Sequence, residues 1–200
     1  MLRKTFFLLP VALLLTVISY AQREETLLGG RNWGLTGAWG GYKHQITQYG
    51  NTNSYVRGGN FGLEFGKSLF VGVARYRLVE DVTWDQLQNQ QFDMNWQVLD
   101  LGYAIQPYKA IHPMINLNAG PGKVSLTNEG DDRIFVIQPS AGVEINLFRW
   151  FRLGLEGGYR FVTDTNLGTL SDQDLSGAYG QASLKFGFSW GRQRKNAERD

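Results

Sequence analysis

The 200-residue chain holds two histidines, His44 and His112, and no cysteine. A histidine beside a serine and a carboxylate can activate a nucleophile. His44 with Ser54 and Glu80 is one such set, but no local motif joins its members. The absence of thiols excludes thiolate nucleophiles, thiolate metal sites and disulfides. Acids gather at Glu80, Asp81, Asp85 and Asp93, at Glu129, Asp131 and Asp132, and at Asp164, Asp172 and Asp174. The runs "NEGDDR" and "SDQD" lack the alternating ligands of a calcium loop, so these acids read as solvated. "GRNWG" does not sit between a strand and a helix, so it is no phosphate loop. A net charge of +2, with no basic cluster interleaved with aromatics, argues against nucleic acid. The sequence therefore predicts no catalytic residue, no cofactor and no metal.

The other charged residues follow a different logic. In "FRLGLEGGYRFVTDT", Phe151 to Thr165, alternate residues are Phe, Leu, Leu, Gly, Tyr and Phe, and those between are Arg, Gly, Glu, Gly and Arg. A period of two means a strand with one apolar and one charged face. Glu64, Asp100, Glu144, Glu156, Arg160 and Lys185 share the charged parity of their strands, and Leu99, Leu101, Val143, Ile145, Leu153 and Leu155 the apolar one. If the charged face points inward, those six must form a paired network, because an unpaired buried charge costs several kcal/mol. If it points outward, they are the solvated face of a soluble barrel. In "LFVGVARYRLV", either Arg75 and Arg77 or Tyr76 and Leu78 face inward.

The elements that carry these residues are strands. Residues 1–21 read as a secretory signal: Arg3 and Lys4, an apolar run from Phe6 to Ile18, then Ser19-Tyr20-Ala21, with cleavage before Gln22. An uncleaved anchor is the alternative, but the run is short for a span of about 20 residues. Eight strands are predicted near residues 32–44, 57–65, 69–79, 94–105, 112–126, 134–147, 151–165 and 177–190. Their connections alternate between tight turns and long polar segments, the latter being 45–56, 80–93, 127–133 and 164–176. In an up-and-down barrel this puts all tight turns at one rim and all long loops at the other, as in outer-membrane barrels. The predicted fold is an all-β, eight-stranded, antiparallel, up-and-down transmembrane β-barrel over 22–190, followed by a polar periplasmic tail, 191–200.

In this architecture the chain resembles the small eight-stranded outer-membrane barrels of the OmpA transmembrane-domain and OmpX kind. The resemblance implies outer-membrane lipid and lipopolysaccharide as surroundings, and a monomer. It also implies a terminal strand read by the barrel-assembly machinery, here Phe186, Phe188 and Trp190, although Gly191–Asp200 follows it. Aromatic girdles are expected at Trp33, Trp150 and Trp190 on the tight-turn rim, and at Trp96 and Tyr159 towards the loops. The expected role is non-enzymatic: envelope integrity, or contact with an extracellular partner through the four loops. Two alternatives stand beside it. Gly37-Ala38-Trp39 matches the short G-x-W pattern of lipocalins, exported soluble barrels that bind a small apolar ligand. Some outer-membrane barrels modify lipid A with His, Ser and an acid, but His44 and His112 are expected at opposite rims.

Overall fold

The computed structural model divides into two units, residues 1–33 and 34–200. The residues described are 34–49, 52–79, 82–83, 91–126, 130–167 and 170–190. The expected signal segment with Ala21 and Gln22, Trp33, and the expected tail 191–200 lie outside them.

Among the described residues nine strands and one helical turn follow in order: β1 (Leu35–Tyr49), β2 (Thr52–Phe65), β3 (Leu69–Leu78), β4 (Val82–Thr83), β5 (Gln91–Ala104), β6 (Ile111–Leu126), β7 (Gly130–Phe148), β8 (Phe151–Thr163), α1 (Asp172–Leu175) and β9 (Gly177–Ser189). Each neighbour pair is antiparallel, β9 pairs back onto β1, and β3 pairs with β5, so eight strands close a barrel. β4 only extends one hairpin by pairing with the start of β5. Among the described residues no helix is long and apolar enough to cross a membrane. Closure leaves none of the eight barrel strands as a free edge along the belt, which is what a lipid environment demands of strands.

The register fixes the barrel's size. A row of partners runs Gly37, Glu64, Phe70, Gly102, Asn116, Ser140, Gly158, Tyr179 and back to β1 at Thr47, ten residues beyond its start. Eight strands with a shear of ten imply a tilt of about 40° and a radius of about 8 Å. Such an interior is filled by side chains. Glycines let strands approach: a Cβ on Gly142 would lie 2.0 Å from the Leu155 carbonyl oxygen of β8. The β2–β3 turn is tight because Gly66 and Lys67 both take positive φ, 56° and 64°, matching the twist of the strands.

The wall is apolar outside and polar inside over its tight-turn half. Leu99, Ile115, Leu117, Val143 and Leu155 are exposed, while Asp100, Asn118, Glu144 and Glu156 are buried. This contradicts the solvated-face alternative. Towards the loops the pattern inverts. Tyr76 and Leu78 of β3, Met94 and Trp96 of β5, Val124 and Leu126 of β6, and Ile134 and Val136 of β7 turn inward. Arg75, Arg77, Gln97, Lys123 and Arg133 face out. The parity of β3 is thereby settled with Tyr76 and Leu78 inside. A strand that leaves lipid for water must exchange its polar and apolar faces, and the inversion marks that edge.

Two of the four expected loops are corrected. Segment 45–56 is mostly strand, paired out to Tyr49 and Thr52, and within 127–133 residues 130–133 belong to β7, which pairs with β6 out to Leu126 and Gly130. In the first, Gln45, Thr47 and Ser54 turn into the lumen, and in the second Asp131 and Arg133 face out, so polarity there signals strand faces rather than loop. Within 80–93, Val82 and Thr83 pair with Phe92 and Gln91. Segment 164–176 contains α1, whose start is closed by reciprocal bonds between Ser171 and Asp174. Leu170 and Leu175 tuck into the barrel's top.

A charge on the outward parity of the belt separates a lipid wall from a wet one. Leu155→Arg is expected to lower unfolding stability in lipid vesicles by about 2–4 kcal/mol, by urea titration, where a water-facing position would change by about 0.5 kcal/mol or less.

Candidate functional site

The lumen holds the charged residues in one tier, nearer the tight turns. Glu64 receives Arg152 at 3.0 Å and the Ser189 hydroxyl at 2.6 Å. Glu144 is held by Lys185 at 2.6 Å and Arg152 at 3.2 Å. His112 Nε2 lies 3.3 Å from Glu144 Oε1 without the alignment of a hydrogen bond, and Nδ1 is 3.1 Å from the Lys109 carbonyl oxygen. Asp100 is met by Lys43 at 2.8 Å and by the Asn60 amide at 2.8 Å. Glu156 accepts from Asn116 (2.5 Å), Ser140 (2.8 Å) and Gln181 (3.3 Å), all neutral donors. Arg152 also lies 3.8 Å from the centre of the Trp39 ring. These contacts satisfy each carboxylate in a space too narrow for bulk water. A cavity of about 30 Å³ among Trp39, Glu64, Met114 and Glu144 has room for roughly one water.

The second tier, under the loops, is aromatic and aliphatic. Tyr76 stacks on Trp96 at 5.3 Å, and Trp96 Nε1 donates to Gln138 Oε1 at 3.0 Å. Arg160 is fully buried here, beside the Tyr49 ring at 4.2 Å and near Trp96 at 5.6 Å. Its Nε donates to the Leu175 carbonyl at 3.0 Å, tying the helical turn to the wall. Arg160 therefore sits apart from the carboxylates expected to pair with it: aromatic faces and a carbonyl supply its negative potential.

The other predicted positions are as follows. Trp96 is 1% exposed and belongs to the lumen, not to an outer girdle, because it shares the parity of Asp100 above the inversion. Trp150, Tyr159 and Trp190 are exposed on the outside. Trp150 stacks with Phe148 at 5.5 Å, and Trp190 Nε1 donates to the Leu35 carbonyl at 3.0 Å where β9 meets β1. Phe186 and Phe188 point outward from β9. His44 lies on the outer wall in a hydrogen bond with the Tyr55 hydroxyl, whereas Ser54 is buried inside. The fold therefore separates His44 from both Ser54 and His112, and the hydrolytic set is not assembled. Among the described residues no cluster of His, Asp and Glu is placed to hold a metal.

Sequence reasoning missed Lys43, Arg152 and His112. Arg152 shares the parity of Glu156, a readable signal. Lys43 lies in the glycine-rich first strand, whose faces look alike. His112 sits at a strand start, where period two has little to act on.

Removing one partner of a buried pair is far more costly than removing both. Lys43→Met leaves Asp100 charged and buried, and should lose about 3–5 kcal/mol in a urea titration followed by tryptophan fluorescence. The double variant Lys43→Met/Asp100→Leu should recover most of that loss.

No family model and no curated protein matches the chain. Solved structures do. The crystal structure of Neisserial surface protein A aligns at a TM-score of 0.55 and 12% identity, over 79% of this chain and 99% of that one. Ail, the attachment invasion locus protein of Yersinia pestis, aligns at 0.45 and 15%, over 78% and 99%. OprG from Pseudomonas aeruginosa aligns at 0.44 and 10%, over 79% and 97%. At these identities the likeness speaks to fold, and at these scores only the first carries weight. Closed register, shear, outward apolar belt and the alignment with Neisserial surface protein A agree: the chain has the fold of the small eight-stranded outer-membrane β-barrels.

Proposed function

We propose that the chain is an exported, non-enzymatic barrel of the outer membrane, closed to solute flow, that supports the envelope and presents its loop-end face outside. The observation that carries this reading is the filled lumen. Ion pairs and amides occupy one tier and packed aromatics the other, with Leu170 and Leu175 seated over it. The hydroxyls that do meet carboxylates, Ser140 at Glu156 and Ser189 at Glu64, are tied up in the packed polar tier, and among the described residues neither tier offers a pocket for an apolar ligand of the lipocalin kind.

The supporting roles belong to the same reading. Residues 1–21 act as the export signal and are removed, 22–190 form the membrane domain, and 191–200 extend into the periplasm. Trp150, Tyr159 and Trp190, with Trp33, anchor the interfaces, since indole and phenol rings favour the headgroup level. Phe186, Phe188 and Trp190 on the closing strand serve assembly. An external partner would meet the hairpins 45–56 and 127–133 and the connections 80–93 and 164–176.

Purified protein in a planar bilayer tests the closed lumen. Long records without steady large single-channel steps are expected, and stable ohmic steps from the wild-type protein would contradict the reading.

A further inference from the structure

The edge of the apolar belt is not level. A row of partners climbs ten residues in one circuit, so neighbours in a row differ in height. Corrected for that climb, Arg75 of β3 lies deeper in the wall than the exposed Ile46 of β1, Ile137 of β7 and Phe161 of β8. Arg57 of β2 faces Arg77 of β3, and Gly59 faces Arg75, which in turn faces Gln97 of β5. Three guanidiniums thus gather where β2 and β3 pass the loop-end edge of the belt. Arg77 is 3.6 Å from Asp93, with its side chain 66% exposed, while Lys123 is fully engaged by Asp131 at 2.6 Å. Arg57 and Arg75 have no acidic partner among the described residues.

Directly below them the wall is indented. A groove of about 980 Å³ has Gly40 and Gly59 at its base, Tyr42, Phe61, Val73 and Phe186 along its sides, and Arg75 with Gln97 at its upper end. Small outward residues here remove the side chains that fill the wall elsewhere. A Cβ at Gly59 would meet only the Gly41 carbonyl oxygen, at 3.4 Å, so packing does not demand glycine at that position.

We propose that this groove is a docking site for one anionic, phosphate-bearing lipid of the loop-end leaflet, with an acyl chain along Phe61 and Val73 and the phosphate on Arg75, Arg57 and Arg77. The charge selects the ligand: Arg57 and Arg75, without an acidic partner among the described residues, and the largely exposed Arg77 bind phosphate oxygens by paired N–H donors and would reject a zwitterionic headgroup's ammonium. The depth selects a lipid over a soluble anion, since the guanidinium of Arg75 is reached along an apolar wall. The site deepens the membrane reading given above, and it concerns the outer wall rather than the lumen.

Native mass spectrometry of protein released from nanodiscs of phosphatidylcholine with phosphatidylglycerol tests it. Wild type should retain phosphatidylglycerol in preference to phosphatidylcholine by roughly tenfold. Arg57→Gln/Arg75→Gln should erase that preference while keeping some bound lipid, and Gly59→Leu, which fills the groove, should lose bound lipid of both kinds. Millimolar inorganic phosphate should not displace the lipid. Equal lipid ratios in wild type and the arginine variant, or displacement by free phosphate, would overturn the proposal. Heat-dependent gel mobility checks that each variant is folded, and it also separates failure of this site from failure of the membrane barrel itself.

Discussion

Ring closure with a shear of ten is the constraint on which everything else depends. Backbone groups of strands in lipid find no water, so each must pair with a neighbouring strand, and the last strand must return to the first. Closing eight strands in this way fixes a radius of about 8 Å. That radius decides the interior: it is too small for a water column and too large to be left empty. The pairing of β9 with β1 therefore dictates the side-chain chemistry of the lumen as much as it dictates the backbone.

The lumen answers this constraint in two ways along its length. Beside the apolar belt the outward positions are taken by Leu, Val and Phe, so strand alternation leaves polar residues inside, and these survive only by mutual pairing. Above the belt the outer wall meets water, and the same alternation delivers Tyr76, Met94, Trp96 and Val136 to the inside. There the barrel packs as a soluble one would, with a hydrophobic core under the turn at 172–175. Arg160 stands at the junction and is accommodated by ring faces and the Leu175 carbonyl. The half that is costly to break through loss of one partner and the half that resists by packing are thus separate parts of one tube.

Much of this was legible in sequence. Period two located all eight staves, and tight turns such as Gly66-Lys67 gave the direction of the hairpins. Parity placed Asp100, Glu144, Glu156 and Lys185 inside. Several of the failures share one cause: the rule "polar in, apolar out" does not hold beyond the membrane edge. It put Trp96 in a girdle, left β3 undecided, and made Arg160 a partner of carboxylates. Loop reading failed at 127–133 for the same reason, since Asp131 and Arg133 lie on the outer face of a hairpin in water, and it failed at 45–56 because the polar Gln45, Thr47 and Ser54 are lumen residues of paired strands. The contacts of Lys43 with Asp100 and of Arg152 with Glu64 were beyond reach. They join residues far apart in sequence, and which cation meets which acid depends on the shear.

The most direct test uses the chain's lack of cysteine. Single cysteines placed in turn from 153 to 161 and spin-labelled in lipid vesicles report contact with oxygen, which dissolves in the bilayer, and with a water-soluble nickel complex. Strict alternation is expected: labels at 153, 155 and 157 meet oxygen and not nickel, labels at 159 and 161 begin to meet nickel at the headgroup level, and labels at 154, 156, 158 and 160 are shielded from both. Nickel contact at 153, 155 and 157 would place that face in water and contradict the lipid-facing wall on which the rest is built.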